Sequence, residues 1–178
     1  MEIEITTDDL LTPPPLPSKV NKLVITCKVA LYEKISESTV LGVKVPQYRI
    51  LLGRKKDETM WGFLGGKVDS EETLEYAAIR ELKEEGNIIL SENKLHFLKS
   101  FLFKKKEETQ SRVMVLFIAP YVGKATAGDD IEECRWWQLE DLDSILLAAY
   151  RPVAKVVKEY LYSDGNQYIS LNDIFDEI

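Results

Sequence analysis

The chain has 178 residues, 45% of them hydrophobic, and its 23 basic and 30 acidic residues give a formal net charge of −7. A chain of this length fits one domain and can bury roughly two-thirds of its unfolded surface in a single core. The negative charge disfavours binding to nucleic acid, because attraction to a phosphate backbone would require a local basic patch. Composition therefore favours a globular protein whose ligand is something other than bulk nucleic acid.

The chain ends and the cysteines indicate the cellular setting. Neither end has an apolar run near the ~20 residues that span a bilayer, and the start at Met1 lacks the basic region of a signal peptide. Cys27 and Cys134 stand apart in strand-like runs, without the spacing of a zinc site or of a disulfide framework. We therefore expect a cytoplasmic protein that makes no membrane contact.

The first twenty residues form a separate segment. Prolines between Pro13 and Pro17 remove backbone donors and favour an extended path outside any sheet interior. We expect residues 1–20 to be an arm, either a disordered leader or a strand that packs on the partner subunit of a homodimer.

Two strands and a helix are predicted in the first half of the remaining chain. The β-branched and apolar runs at 23–32 and 48–54 predict strands, with the polar segment 35–47 as their linker. A helix is predicted from about residue 70 to 85. Asp69, followed three residues later by Glu72, matches a variant of the capping box, and Ser70 is the competing N-cap.

Strands, then helices, are predicted in the second half. His96 lies in the first of these strands, where a structural role is the favoured interpretation. Strands before and after a central helix, with further helices at the end, predict a mixed α/β or α+β sandwich. We expect one domain over residues 21–163 and a tail over 164–178. The predicted elements are strands at 94–103 and 112–121 joined by a hairpin at 104–110, a short strand at 134–139, and helices at 139–147 and 153–162 separated by Pro152.

Carboxylates interrupt the apolar face of the central helix. At about 100° per residue, Glu81 and Glu85 fall on the same face as Leu74 and Ala78. Glu84 follows within one turn, near a helix end where the dipole disfavours negative charge. Because like charges at this spacing repel one another, positive charge is expected beside them.

A hard divalent cation is the natural partner for these carboxylates. Mg²⁺ or Mn²⁺ prefers oxygen ligands and keeps positions for water or phosphate oxygens. Lys83 and Arg80 are alternative sources of positive charge, and a solvated acidic face is the simpler interpretation of such a sequence. That interpretation does not explain why Glu81 and Glu85 share the angle of the apolar residues, so we favour a metal site.

The same residues resemble the signature of the Nudix family, G-x5-E-x7-R-E-U-x-E-E-x-G-U. The one departure is Asn87, where the family has glycine. Asparagine also tolerates the left-handed conformation, so we expect the turn to survive. The resemblance covers roughly residues 22–148 and implies a Nudix-like α/β/α sandwich with a mixed sheet. The matching positions are Gly66, Glu72, Arg80, Glu81, Leu82, Glu84, Glu85 and Ile88.

The resemblance also implies roles for individual residues. Glu81 and Glu85 would be direct metal ligands, with Glu84 direct or water-mediated and the carbonyl of Gly65 nearby. Arg80 would, together with Glu72, orient this cluster. The metal would be Mg²⁺ or Mn²⁺, and it would activate water for in-line attack on a diphosphate. The general base is left open among Glu81, Glu84 and the acidic loop residues Asp129, Asp130, Glu132 and Glu133.

The expected substrate is a small nucleotide. The segment 127–130 and the sequence Arg135-Trp-Trp are similar to Nudix proteins that act on ADP-ribose and nucleoside diphosphate sugars. Arg54 and Lys67 are candidates for substrate phosphates. Trp61 is a candidate for stacking on a base, although a core position is the more common role of such an aromatic. Further candidates with the same alternatives are Lys55, Lys104–Lys106, Tyr121, Trp136 and Trp137.

Three other functions stay open. An enzyme of this type could hydrolyse oxidised nucleoside triphosphates or trim a capped RNA, although the negative charge argues against the second. A Nudix-like sensor would bind a nucleotide without cleaving it. Such sensors tend to have a damaged signature and an added DNA-binding region, whereas the acids are intact here and roughly thirty residues after 148 are too few for a second domain.

Overall fold

The computed structural model describes residues 22–41, 43–104, 110–146 and 150–163. The predicted arm, the tail, the hairpin tip at 105–109 and the homodimer contact assigned to the arm lie outside these residues. Within them, no helix has both the length and the apolar character needed to cross a bilayer. The elements, in chain order, are β1 (Lys22–Val40), β2 (Val43–Lys55), α1 (Leu74–Gly86), β3 (His96–Lys104), β4 (Gln110–Pro120), β5 (Ile131–Gln138), α2 (Leu142–Ile145) and α3 (Arg151–Tyr162).

The strands form one mixed sheet in the order β3-β4-β1-β2-β5. β1 and β4 are parallel, with Val29 opposite Phe117, and the other neighbouring pairs are antiparallel. α1 packs on one face through Ala77, Ala78 and Leu82, while α2 and α3 cover the other face. The predicted α/β/α sandwich with a mixed sheet is therefore confirmed.

The segment 35–47 was predicted to be a linker, and that prediction is wrong. Ser36 pairs with Gln47 and Val40 with Val43, so β1 and β2 continue as a two-stranded ribbon beyond the rest of the sheet. The ribbon is rich in serine, threonine and valine, and its side chains at 35–39 and 44–47 are exposed or half-buried. Because the ribbon is exposed, its sequence has no long apolar run that would predict strands.

The central helix begins later than its predicted cap. The hydroxyl of Thr73 accepts a 3.1 Å hydrogen bond from the Tyr76 N–H, which makes Thr73 the N-cap. Asp69 and Glu72 instead form a separate turn, in which the Glu72 carboxylate accepts from the Asp69 N–H at 3.1 Å. The same carboxylate is also held by Arg80, and this tertiary contact fixes the turn outside the helix.

The helix ends as predicted. Asn87 adopts the left-handed conformation with φ of 51°, and its N–H donates to the Lys83 carbonyl at 3.0 Å. The Ile88 N–H then reaches back to the Leu82 carbonyl at 3.1 Å. These two bonds satisfy carbonyls at the end of the helix, so asparagine does replace the family's glycine here.

Candidate active site

A glycine loop joins β2 to α1 and lies against β1. The Cys27 N–H donates to the Gly66 carbonyl at 2.8 Å, and the Val29 N–H donates to the Leu64 carbonyl at 2.9 Å. Gly65 has φ of +124°, and a Cβ there would lie 2.2 Å from the Cys27 carbonyl oxygen. Position 65 therefore requires glycine, both for its conformation and for its contact with the strand.

Glu85 is tied to this loop. Its carboxylate oxygen Oε2 accepts a 2.6 Å hydrogen bond from the Gly65 N–H. Glu85 is only 3% exposed, so it is a buried carboxylate on the apolar face of α1, as its angle predicted. Burial raises its pKa, while the Lys28 ammonium and the Gly65 N–H act in the opposite direction.

Glu81 lies one turn earlier, directly over the second glycine. A Cβ built on Gly66 would fall 2.3 Å from Oε1 of Glu81. The missing side chain at position 66 therefore creates the space that the carboxylate occupies. The Glu81 side chain is 13% exposed, so it stands at the edge of the buried face rather than in bulk solvent.

Arg80 links the acidic residues of the signature. Its Nε donates to Glu72 at 2.6 Å, and its Nη1 donates to both Glu81 and Glu84 at 2.9 Å. Its Nη2 also reaches the Lys67 carbonyl at 3.0 Å. The hydrogen bond to Glu72, followed by those to Glu81 and Glu84, raises the pKa of Arg80, so the guanidinium is permanently charged. Arg80 thus holds the carboxylates in place.

Lys28 is a site residue that the sequence analysis missed. It projects from β1, and its ammonium donates a hydrogen bond to the Gly65 carbonyl oxygen. Burial lowers its pKa, and the Glu85 carboxylate opposes that effect. A signal was present in the sequence, because Lys28 is the single charged residue within the apolar run 23–32.

The loop after β4 closes over the end of α1. The Thr126 N–H donates to the Gly86 carbonyl at 2.8 Å, and the Gly128 N–H donates to the Glu85 carbonyl at 3.0 Å. A Cβ at Gly128 would lie 2.4 Å from the Glu84 carbonyl oxygen. The loop therefore satisfies helix carbonyls with its own amides and brings its acidic end towards the carboxylates of α1.

The acidic loop residues differ in their surroundings. Asp130 pairs through Oδ2 with the Lys55 ammonium, and its buried Oδ1 has no hydrogen-bond partner within the described part of the chain. Glu132 and Glu133 pair with Arg54, at 2.6 and 3.4 Å. Asp129 is exposed. Asp130 is thus distinguished among the loop carboxylates by a buried oxygen that has no partner in the described part of the chain.

The structure brings together two of the three predicted substrate-binding residues. The Arg54 guanidinium lies over the Trp61 ring, 5.7 Å from its centroid, and pairs with Glu132 of β5, whereas the Lys67 side chain is exposed near Arg80. Trp61 is 7% exposed and lies on the sheet face opposite α1, with its ring 5.2 Å from that of Trp137. The structure thus gives Trp61 a packing position, and its contact with substrate stays a prediction.

The oxygen donors suit a hard divalent cation. Three carboxylates and the Gly65 carbonyl come from one helix and one fixed loop, and none of them is a soft or aromatic nitrogen ligand. Among the described residues, however, no three histidine, cysteine, aspartate or glutamate side chains already form a cluster that could hold a metal. Arg80 separates Glu81 from Glu84, and the Gly65 N–H takes one oxygen of Glu85. Binding of an ion therefore requires these side chains to exchange partners.

Comparison with known proteins agrees with this geometry. A NUDIX domain family model matches residues 37–160, which is more than half of the chain. An oxidized purine nucleoside triphosphate hydrolase of Danio rerio is 32% identical, over 60% of this chain and 69% of that protein. An ADP-ribose pyrophosphatase of Methanocaldococcus jannaschii is 27% identical, over 67% of this chain and 70% of that protein.

A solved structure supports the same assignment. A MutT NUDIX hydrolase from Burkholderia pseudomallei superposes with a TM-score of 0.59 at 26% identity, covering 76% of this chain and 98% of that one. The matched region includes the glycine loop, α1 and the loop after β4. The chain therefore belongs to the Nudix family and is a Nudix hydrolase.

Proposed function

We propose that the protein hydrolyses the diphosphate linkage of a nucleoside diphosphate derivative, such as ADP-ribose or a nucleotide sugar, with Mg²⁺ or Mn²⁺ as cofactor. The products would be a nucleoside monophosphate and a second phosphorylated compound. The observation that carries the proposal is the buried Glu85 carboxylate fixed to Gly65, with Glu81 one turn away. A negative charge is held there at the expense of its hydration, which fits a site that receives a cation.

The roles of the acidic residues follow from their surroundings. Glu81 and Glu85 would be direct metal ligands with the Gly65 carbonyl, because they are the least exposed of the oxygen donors on α1. Glu84, whose side chain is 48% exposed, would bind directly or through water. A bound divalent ion would neutralise the diphosphate and lower the pKa of an attacking water.

Arg80 would keep its contacts with Glu72 while its bonds to Glu81 and Glu84 are exchanged for the ion. The hydrogen bonds of Arg80 support these separate roles. Nε and Nη2 donate to Glu72, whereas Nη1 alone donates to the two proposed ligands. The anchoring half of the guanidinium can therefore stay fixed when the other half loses its partners.

The general base would come from the Nudix signature or from the loop after β4. Glu81 is the candidate within the signature, because its carboxylate is at the edge of the buried region. Asp130 is the loop candidate that the structure favours, because one of its oxygens has no partner in the described part of the chain and the other is held by Lys55. Separate Glu81→Gln and Asp130→Asn variants, compared by pH–rate profile at saturating Mg²⁺, distinguish them, because removal of the general base abolishes the rise of the rate with pH on the acidic limb.

A second substrate class has its own support. The Danio rerio relative is named for oxidized purine nucleoside triphosphates, while the archaeal relative is named for ADP-ribose. The segment 127–130 with Arg135-Trp-Trp favours ADP-ribose, whereas the sequence identity is higher to the triphosphate enzyme. Both reactions use the same carboxylates and differ in how the nucleotide is held.

A substrate panel decides between these classes. The wild-type protein would be assayed with Mg²⁺ against ADP-ribose, nucleoside diphosphate sugars, diadenosine polyphosphates, and ordinary and oxidised nucleoside triphosphates. Our proposal predicts AMP and ribose 5-phosphate from ADP-ribose. Cleavage of a triphosphate to monophosphate and diphosphate, with ADP-ribose inert, would replace it with the second class, and no turnover of any of these would refute both.

The two free cysteines support a cytoplasmic location, which we also propose. Cys27 and Cys134 are both free, and they lie in the core cluster under α1. The fold thus has no disulfide between them to lose in a reducing compartment, which agrees with a cytoplasmic enzyme.

A further inference from the structure

Lys28 is an unusual feature of the strand that supports the glycine loop. Its neighbours Cys27 and Val29 are fully buried, so the lysine is placed within the apolar part of β1. Its ammonium donates a hydrogen bond to the Gly65 carbonyl oxygen, which is the backbone oxygen proposed above as a metal ligand. A cation of the protein and the proposed metal ion therefore share one acceptor.

The carbonyl of Gly65 cannot turn away from Lys28. Both neighbouring carbonyls, of Leu64 and Gly66, accept hydrogen bonds from β1 at 2.9 and 2.8 Å. The Gly65 N–H is held by Glu85 at 2.6 Å. Because the loop is fixed on both sides, a second cation that approaches this oxygen meets the positive charge of the lysine ammonium at close range.

Charged groups around Lys28 both attract and repel its ammonium. The carboxylates of Glu85 and Glu81 attract the Lys28 ammonium, whereas Lys55 on the neighbouring strand repels it. Lysine has a flexible four-carbon stem, so its ammonium can leave the carbonyl without any change in the backbone of β1. A divalent ion would meet a like charge at this point, in a partly buried site where screening by salt is weak.

We propose that Lys28 is an exchange cation for the metal site. Its ammonium balances the negative charge of Glu85, the acidic residue that is bonded to Gly65. The ammonium must leave the Gly65 carbonyl when a divalent ion binds. This inference rests on the proposed metal-dependent function and adds a property to it. The protein's own lysine weakens metal binding and so sets the ion concentration at which the site fills. Lys28 is therefore a positioning residue rather than a catalytic one.

Mn²⁺ binding to the full-length protein, measured without substrate by titration calorimetry, tests the exchange. Lys28→Met removes the competing charge and keeps an unbranched side chain. Lys83→Met is the matched control, because it removes the same charge from an exposed position on α1 beside Glu84. We expect Lys28→Met to bind Mn²⁺ at least about tenfold more tightly than the wild type, and Lys83→Met to differ from it by less than about threefold.

Two outcomes of this titration would overturn the proposal. Equal tightening in both variants would mean that total charge, rather than the bond to Gly65, governs affinity. Unchanged or weaker binding in Lys28→Met would mean that the lysine does not compete with the ion.

A measurement on the wild type keeps the test valid should Lys28→Met fail to fold. With lysine labelled by ¹³C at Cε, the Lys28 resonance is expected to shift on addition of Mg²⁺ and to saturate with the metal, while that of Lys83 stays near its starting position. A Lys28 resonance that does not move at saturating Mg²⁺ would refute the exchange alone. A wild type that binds neither ion would instead refute the proposed function itself.

Discussion

The Glu85 carboxylate and the Gly65 backbone N–H form a buried 2.6 Å hydrogen bond that spans 20 residues of sequence. This bond joins the last turn of α1 to the loop that precedes the helix. It attaches Glu85 to the same glycine whose carbonyl oxygen Lys28 contacts from β1. One glycine residue thus connects the three elements from which the site is built.

Gly66→Ala is expected to reduce turnover by at least about a hundredfold with little loss of stability. The added Cβ would fall 2.3 Å from Glu81 Oε1. The carboxylate is the end of a flexible side chain, so it can move aside, but it would then leave its position as a ligand. Activity and melting temperature should be measured on the same preparation.

Gly62→Ala is the matched control in the same loop. Its added Cβ would make only an ordinary contact, at 3.4 Å from Tyr150 Cε2. Turnover should stay within a few-fold of the wild type. Similar losses in both variants would show that the loop backbone, rather than the space for Glu81, is sensitive.

Asn87 tests the substitution of asparagine for the family's glycine. Since Asn87 has φ of 51°, Asn87→Gly should change the free energy of unfolding by less than about 1 kcal/mol. Asn87→Val should lower it by about 1–2 kcal/mol, because a β-branched residue is strained in this region. Urea denaturation measures both variants. Equal stability of the valine and glycine variants would contradict the left-handed assignment.

Substitutions of Trp61 distinguish a packing role of its ring from stacking on the substrate base. Trp61→Ala should lower the free energy of unfolding by about 3–5 kcal/mol, because the ring is buried between α2 and the sheet. Trp61→Phe keeps an aromatic ring, and we expect its KM to match that of the wild type. A raised KM with an unchanged melting temperature in Trp61→Phe would instead support contact with the base.

The thiols give a prediction about pH. Burial raises the pKa of Cys27 and of Cys134 from 9.0 to about 11. A higher pKa means less thiolate at a given pH, so at pH 8 alkylation should be about 100-fold slower than for a free thiol, even before steric protection is counted. The rate for Cys134, isolated in a Cys27→Ala variant, should keep rising through pH 11 in the folded protein. A plateau near pH 9 under native conditions would contradict the raised pKa.

The sequence predicted best what depends on local spacing. Glu81 and Glu85 were placed on the apolar face of α1 by helical periodicity alone, and Glu85 is indeed buried. The left-handed turn at Asn87 followed from one residue type at the end of a helix. Likewise, Pro152 lies at the first turn of α3, where proline is tolerated.

The errors arose where distant parts of the chain meet. The N-cap was misplaced because Glu72 is held by Arg80, eight residues away. Lys28 was passed over because its position in an apolar run marks it as unusual but does not show that it contacts the glycine loop 37 residues further along the chain. The ribbon at 35–47 pairs only with itself and has no long apolar run in its sequence, so periodicity could not distinguish it from a linker.

The most direct measurement of the central claim compares Glu85→Gln with Glu75→Gln, an equivalent change in the first turn of α1. The metal-site account predicts that Glu85→Gln folds but loses turnover by at least about a hundredfold, while Glu75→Gln stays near wild type. Mg²⁺ or Mn²⁺ should raise the melting temperature of the wild type and of Glu75→Gln, and much less that of Glu85→Gln. Unchanged turnover in Glu85→Gln, together with an undiminished thermal shift by metal, would contradict the account.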